Sequence, residues 1–387
     1  MNIVMFYKYY KKYGGQEKII YNLSHYLAER GHSIIIYAAR IKNRENLKNI
    51  TLKKIFIPPL PRGLRTLVFA LISYIQAKKI KKIDPDACII GFGKTFYSDI
   101  YRSGGGVHKY YFKRAVLKYA NPLARKMYKL KKYLSISHWA NIFIEKLTFE
   151  SKHLKCIIAP SEFVKKQILN NFNTDASKIT VIRNGINPER FYPDKDLRKA
   201  LRKRLKIDND EIVFSFVSTN HRLKGLAFLL KASKMIKDKG YRFKLIVAGN
   251  GDDRYFQRMI NRLGLSDIVL YLGKVQDIEK VYNASDIFIY PTLFDTSALV
   301  ILEAMACGNV VISSVYAGSS EIIDENNNGL LIIDPTNPEE IASKMEMLLK
   351  NRALIKQLQR KALEAVAPYK NIDLFSKIED IIINRCD

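Results

Sequence analysis

Two carboxylates, Asp295 and Glu303, stand eight positions apart in FDTSALVILEAMACG, residues 294–308. The run DIFIYPT before them reads as a buried strand, and ALVILEAMACG has helical length, good helix formers and a stop at Gly308. Asp295 then falls in a loop and Glu303 in the helix that follows. A helix N-terminus offers unpaired N–H groups and a partial positive charge, which suit a phosphate, while a carboxylate further along the helix reaches hydroxyls. Phosphate plus polyol is the chemistry of a nucleotide sugar. The segment also reads as a helix with a capping Asp and one buried Glu, so the rest of the chain must decide.

A second group of candidates lies in STNHRLKGLAFLLKA, residues 218–232, where Arg222 and Lys224 precede a helix and follow the strand IVFSFVS. Two cations at the carboxyl edge of a sheet can neutralise a diphosphate leaving group. Gly14 and Gly15 follow the first apolar run, where backbone can approach a phosphate because no Cβ obstructs it. Any tight strand-to-helix turn uses such glycines, and no G-x-G-x-x-G is present, which disfavours a nicotinamide dinucleotide. Asp99 and His108 flank IYRSGGGV, read as a glycine loop at a cleft edge, and His108 there can hydrogen-bond a sugar or phosphate. His32 opens a strand after a helix and reads as structural.

These residues need a scaffold. The runs NIVMFY, HSIIIYAA, DACIIGF, CIIAPS and ITVIRNG alternate with amphipathic stretches such as Gln16 to Arg30, and IVFSFVS, FKLIVAGNG, IVLYLG, DIFIYPT, NVVISS and GLLIID repeat the alternation. Two doubly wound α/β domains follow, facing each other across a cleft. The expected division is 1–193, a linker RNGINPERFYPD over 183–194, a second domain to 370, and a terminal helix 371–387 returning to the first domain. A chain of 387 residues is long enough for two full cores.

Charge is distributed unevenly. Residues 1–190 hold 36 Lys and Arg against 11 Asp and Glu, leaving 29 and 26 for the remainder. The first half should attract a polyanion, and Lys109 to Leu134 alternates basic with aromatic and aliphatic residues as a membrane-surface segment does. Nucleic acid would also suit such interleaving, but no RNP, zinc-finger or KH signature accompanies it, so none is expected as a partner. The longest apolar run, Thr66 to Ala77, is too short to span a bilayer. The N-terminus lacks the order of a signal peptide, and cysteines 88, 156, 307 and 386 have no metal-ligand spacing. They read as free thiols of a cytoplasmic protein.

With those residues in place the chain resembles the retaining glycosyltransferases of family four, with the GT-B fold. The resemblance rests on Gly14–Gly15, AERGHSIIIYA, APSEFVKKQI, VIRNGINPERF, the segment before Gly225, VAGNGD, IVLYLGKV, and the paired acids ending EAMACG. GFGKTFYSDIYRSGGGVH and HRLKGL look most like the lipopolysaccharide core glucosyltransferases. The resemblance implies that Glu303 binds the ribose, Asp295 holds donor-sugar hydroxyls, N–H groups near Ala298 and Leu299 take the diphosphate, and Arg222 and Lys224 stabilise its departure. It further implies that Gly15 approaches the diphosphate and that main chain near Val275 reads the base. The family commonly has Glu at Asp295, Gly at Ala298 and Arg at Thr219. The expected activity is metal-independent transfer of a hexose, glucose from UDP-glucose, to a phosphorylated lipopolysaccharide core or related glycolipid at the inner membrane face. Another nucleotide sugar and acceptor, a nucleotide-sugar epimerase, and a nucleic-acid-binding α/β protein are the alternatives.

Overall fold

The computed structural model describes residues 1–12, 14–42, 48–251 and 253–386. Asp252 of VAGNGD lies outside these. The chain divides into two units, Met1–Arg183 with Ile372–Asp387, and Asn184–Asn371.

The first unit is built on a seven-stranded sheet. In spatial order its strands are Ile50–Lys54, Ser33–Ala38, Asn2–Phe6, Cys88–Gly91, Ile100–Arg102, Cys156–Ala159 and Ile179–Val181, each pair parallel. The inner strands are covered on both faces, which is why they read as unbroken apolar runs rather than alternating ones. The sheet grows outward on either side of the first strand, so a topological switch point falls between Asn2–Phe6 and Cys88–Gly91.

The second unit has six parallel strands in the order Val269–Gly273, Lys244–Gly249, Val213–Ser218, Ile287–Tyr290, Val310–Ser314 and Gly329–Ile332. Its switch point lies between Val213–Ser218 and Ile287–Tyr290. Ligands in such sheets bind outside the carboxyl ends of the strands at this point.

Three features depart from the sequence reading. IYRSGGGV is not all loop, because Ile100–Arg102 is a buried strand hydrogen-bonded between two others. The segment 184–193 is a built part of the second unit rather than a free linker: Asn184 Nδ2 donates to Ser297 Oγ at 2.6 Å, Ile186 pairs with Lys370, and Phe191 is buried against Tyr282. The division therefore falls earlier in the chain than the glycine and prolines suggest.

Cys88 and Cys386 are not free thiols. The helix Asn371–Cys386 carries Cys386 to 5.5 Å, Cα to Cα, from Cys88, and the two form a disulfide. A sequence separation of 298 residues conceals the pairing until the helix is placed in the first unit. Leu374, Phe375, Ile378 and Ile382 of that helix enter the same core as Ile3, Leu23 and Ile90. Its Glu379 accepts from Arg30 Nε at 2.8 Å and sits 3.0 Å from His32 Nε2, so His32 is structural.

The basic segment after His108 forms two helices, His108–Ala115 and Pro122–Tyr133, as an amphipathic reading expects. Asn121 caps the second by accepting from Leu123 N, with Pro122 in the first turn. No residue of Pro122–Tyr133 is buried.

Candidate functional site

In the second unit, the loops after the first and fourth strands flank the switch point. They are stitched together: Leu293 N donates to Leu223 O at 3.0 Å, and Lys224 Nζ donates to Phe294 O at 2.9 Å. Gly225 makes the approach possible. Its φ is +82°, and a Cβ there would stand 2.0 Å from Pro291 O. A third loop joins through Asp295 N to Tyr316 O at 2.9 Å and Gly318 N to Asp295 O at 3.0 Å.

Asp295 is the hub of this junction. Its Oδ2 accepts from Lys224 Nζ at 2.5 Å and from Tyr290 Oη at 2.9 Å, while Oδ1 accepts from Ser297 N at 3.2 Å and Ala298 N at 2.9 Å. Burial alone would raise its pKa, but the charge and hydrogen bond of Lys224, with Tyr290 and the Ser297 N–H, hold the carboxyl below its usual range. A carboxylate accepts about four hydrogen bonds. With four protein donors in place, Asp295 here orients Lys224 and the helix entry, rather than offering free lone pairs to sugar hydroxyls as the resemblance implies.

The helix Leu299–Ala306 begins directly after this turn. Ala298 precedes it at φ 54°, ψ 65°, a left-handed conformation that glycine adopts more readily than alanine. Its N–H is already given to Asp295. The N–H groups of Leu299 and Val300 open the helix, where no acidic side chain occupies the first turn. Glu303 follows on the same helix, half-buried, accepting from Tyr282 Oη at 3.1 Å. Burial first, then the Glu303 charge, pushes the Tyr282 phenol well up, so it stays a donor.

Arg222 sits with its guanidinium 4.2 Å from the centre of the Tyr255 ring. Val275 lies in the loop after Val269–Gly273, at the same carboxyl edge. His221 was not singled out from sequence. It is buried beside Ser218, Oγ to Nδ1 2.6 Å, with Nε2 lacking a hydrogen-bond partner. Its place directly after the strand end, at the head of HRLKGL, was the available signal.

In the first unit, Gly14 caps the helix Gly15–Glu29 at φ 114°, where a side chain would be strained and would meet Glu17. A Cβ on Gly15 would meet nothing within 4 Å. Gln16 Nε2 donates to Phe92 O at 2.6 Å and so ties the two loops at this switch point.

Asp99 and His108 do not come together. Asp99 precedes the strand Ile100–Arg102 and His108 follows it, so they lie at opposite edges of the sheet. The Asp99 carboxylate is buried, accepts from Ile89 N at 2.9 Å and pairs with Lys81 at 3.2 Å. That engagement corrects the reading of Asp99 as a site residue: its charge is committed to the sheet.

His108 remains at the carboxyl edge. Its Nε2 lies 3.1 Å from His138 Nδ1, and its backbone N–H donates to Glu145 Oε2 at 2.8 Å. Glu145 also takes Lys94 Nζ at 2.7 Å. Burial first, then Lys94 and His138, pushes the His108 imidazole down to about 3, so it is neutral at physiological pH. Sequence reading missed His138, Glu145 and Lys94, which are distant in the chain.

Residues 13–190 match the family described as Glycosyltransferase Family 4, and residues 198–365 match Glycosyl transferases group 1. An uncharacterized glycosyltransferase of Methanocaldococcus jannaschii is 32% identical over 212 residues, 53% of this chain and 54% of that protein. The chain thus spans about half the length of the curated relatives it matches. Among solved structures, WaaG, a glycosyltransferase involved in lipopolysaccharide biosynthesis, superposes with a TM-score of 0.80 at 19% identity, covering 98% of this chain and 99% of that one. Anabaena Alr3699/HepE in complex with UDP-glucose gives 0.71 at 17% identity, covering 99% and 100%. At those identities the likeness is one of fold. Two parallel six- and seven-stranded units, each with polar residues gathered at a switch point, and the two domain matches in sequence order make this chain a member of the GT-B glycosyltransferases.

Proposed function

We propose that the chain transfers a hexosyl group from a nucleotide sugar, glucose from UDP-glucose, to a phosphorylated glycolipid of the lipopolysaccharide-core kind. The observation that carries this reading is the junction at the second switch point, where Lys224, Arg222, the start of the helix Leu299–Ala306 and Glu303 share one carboxyl edge. Glu303 binds the ribose hydroxyls, the Leu299 and Val300 N–H groups take the diphosphate, and main chain near Val275 reads the base. Lys224, held by Asp295, and Arg222 neutralise charge as the bond from the anomeric carbon to the diphosphate breaks. The acceptor hydroxyl forms the new bond on the same face, its proton passing to the departing diphosphate oxygen, so configuration is retained. This needs no metal. In the first unit, neutral His108 is a hydrogen-bonding group rather than a cation.

The surface of the first unit supports an anionic membrane as the place of reaction. Leu123, Met127 and Leu130 lie on one side of Pro122–Tyr133 and are 64%, 64% and 62% exposed. Trp139 on the next helix is 54% exposed. Arg125, Lys126, Lys129, Lys131 and Lys132 are interspersed with them, a pattern suited to apolar insertion among anionic headgroups. No described helix is long and apolar enough to cross a membrane; the attachment in this reading is peripheral, at the inner face.

The test is a panel of UDP-, GDP- and ADP-sugars in EDTA, with binding and slow donor hydrolysis measured for the wild type and Glu303→Ala. Selective binding of UDP-glucose that weakens at least tenfold in the variant supports the reading. Binding of no donor overturns it.

A further inference from the structure

A second concentration of charge lies in the first unit, over the carboxyl ends of Asn2–Phe6, Ser33–Ala38 and Ile50–Lys54. It is a pocket of about 320 Å³. Four cations line it, Lys8, Arg40, Lys54 and Arg65, and no acidic residue does. Arg198 and Arg202, by contrast, share the carboxylate of Asp286. Here no described carboxylate is paired with any of the four.

Two further observations bear on this pocket. The Nε of Arg65 is buried without a hydrogen-bond partner, although guanidinium N–H groups rarely go unsatisfied in a protein interior. The helix Arg62–Ile83 begins beside it behind Pro61, with no side-chain cap and no acidic residue in its first turn, so its N–H groups and dipole add to the positive potential. Lys8 registers the crowding: burial first, then Arg65, Arg62 and Arg40, pulls its ammonium below the ordinary lysine range. Phe56, 75% exposed at the rim, offers a flat apolar face.

We propose that this pocket binds phosphate groups carried on a saccharide, with the cations and the helix start taking the phosphates and Phe56 lying against the sugar ring. The proposal rests on the reading that the first unit receives a phosphorylated acceptor, and it names where the phosphates sit. The pocket belongs to the first unit and the donor junction to the second.

Inorganic pyrophosphate titrated calorimetrically into full-length protein saturated with UDP tests this, since UDP occupies the donor's diphosphate site. The wild type should bind pyrophosphate with an affinity that falls as salt rises. Lys8→Gln/Arg65→Gln should weaken it at least tenfold, while Lys199→Gln/Lys203→Gln, on the other unit, should leave it unchanged. Equal affinity in all three proteins overturns the proposal. A measurement on the wild type alone guards against misfolding of the variant: pyrophosphate should protect Arg65 from phenylglyoxal, read by mass spectrometry, and absence of protection overturns the site. Protection by phosphatidic acid vesicles but not by pyrophosphate would assign the phosphates to the bilayer and overturn the saccharide reading. Failure of UDP to bind, with pyrophosphate binding still sensitive to Lys8 and Arg65, would sink the transferase reading and leave the pocket standing.

Discussion

Lys224 Nζ stands 2.5 Å from Asp295 Oδ2, and the two residues come from loops after different strands of one sheet. The ion pair is mostly covered, with side chains 13% and 20% exposed. It therefore fixes the distance between the loop carrying Arg222 and the helix carrying Glu303. Lys224→Gln should cost about 1–3 kcal/mol of stability by leaving the carboxylate under-compensated, and lower transfer by roughly 10²–10³-fold through lost leaving-group stabilisation. Thermal melts and turnover with a saturating donor check the two effects separately. Asp295→Asn should lose less stability, because the amide oxygen still accepts, but should misplace Lys224 and lower turnover with little change in donor affinity.

Ala298 is held in the left-handed region at the head of the helix that follows this pair. Ala298→Gly should raise stability by about 0.5–1 kcal/mol, the strain relieved by removing Cβ outweighing the entropy gained by the unfolded chain. A denaturant midpoint that moves upward at constant slope is the expected result. A downward shift would mean that the alanine methyl contributes packing.

Both switch points were readable from the chain because period and punctuation agree there: short apolar runs, each closed by a polar or glycine-rich turn, define the strands and their carboxyl ends. Asp295, Glu303, Lys224 and Gly14 fall where that pattern puts them. Asp99 did not, since IYR is too short to register as a strand, and without it the residue seemed to share a loop with His108. The partners of His108 were hidden for a different reason. His138 and Glu145 lie on the helix Ile136–Phe149, and only tertiary packing brings that helix to the glycine turn. The Cys88–Cys386 bond was hidden by the same kind of distance.

Acid should weaken the fold through His108. Its imidazole binds a proton near 6.5 when the chain is unfolded and only at about 3 when it is folded. Between those values the unfolded chain holds more protons, so the stability present above pH 6.5 is lost as pH falls toward 3. His138 and His221 are displaced the same way by burial. His108→Gln should flatten, without abolishing, the fall in melting temperature between pH 6.5 and 4. An unchanged slope would show that the His108 proton is not the one that matters.

Membrane attachment should depend on the unburied face of Pro122–Tyr133 and not on the donor junction. Met127→Glu/Leu130→Glu should abolish sedimentation with phosphatidylglycerol vesicles, leave the melting temperature within a degree or so because surface changes are small, and leave UDP-glucose binding intact. Raised salt should release the wild type only in part, as the apolar contribution is not screened.

The helix that carries Glu379 and Cys386 completes the core of the first unit with residues translated after the whole of the second. The second unit is thus an insertion, continuous in sequence, its ends bridged at Ile186 and Lys370. During synthesis it can fold while the first unit still lacks Leu374, Phe375, Ile378 and Ile382, whose places beside Ile3 and Ile90 stay open until the last turns leave the ribosome. A chain truncated after Asn371 should therefore show the second unit protected from protease and the first unit not.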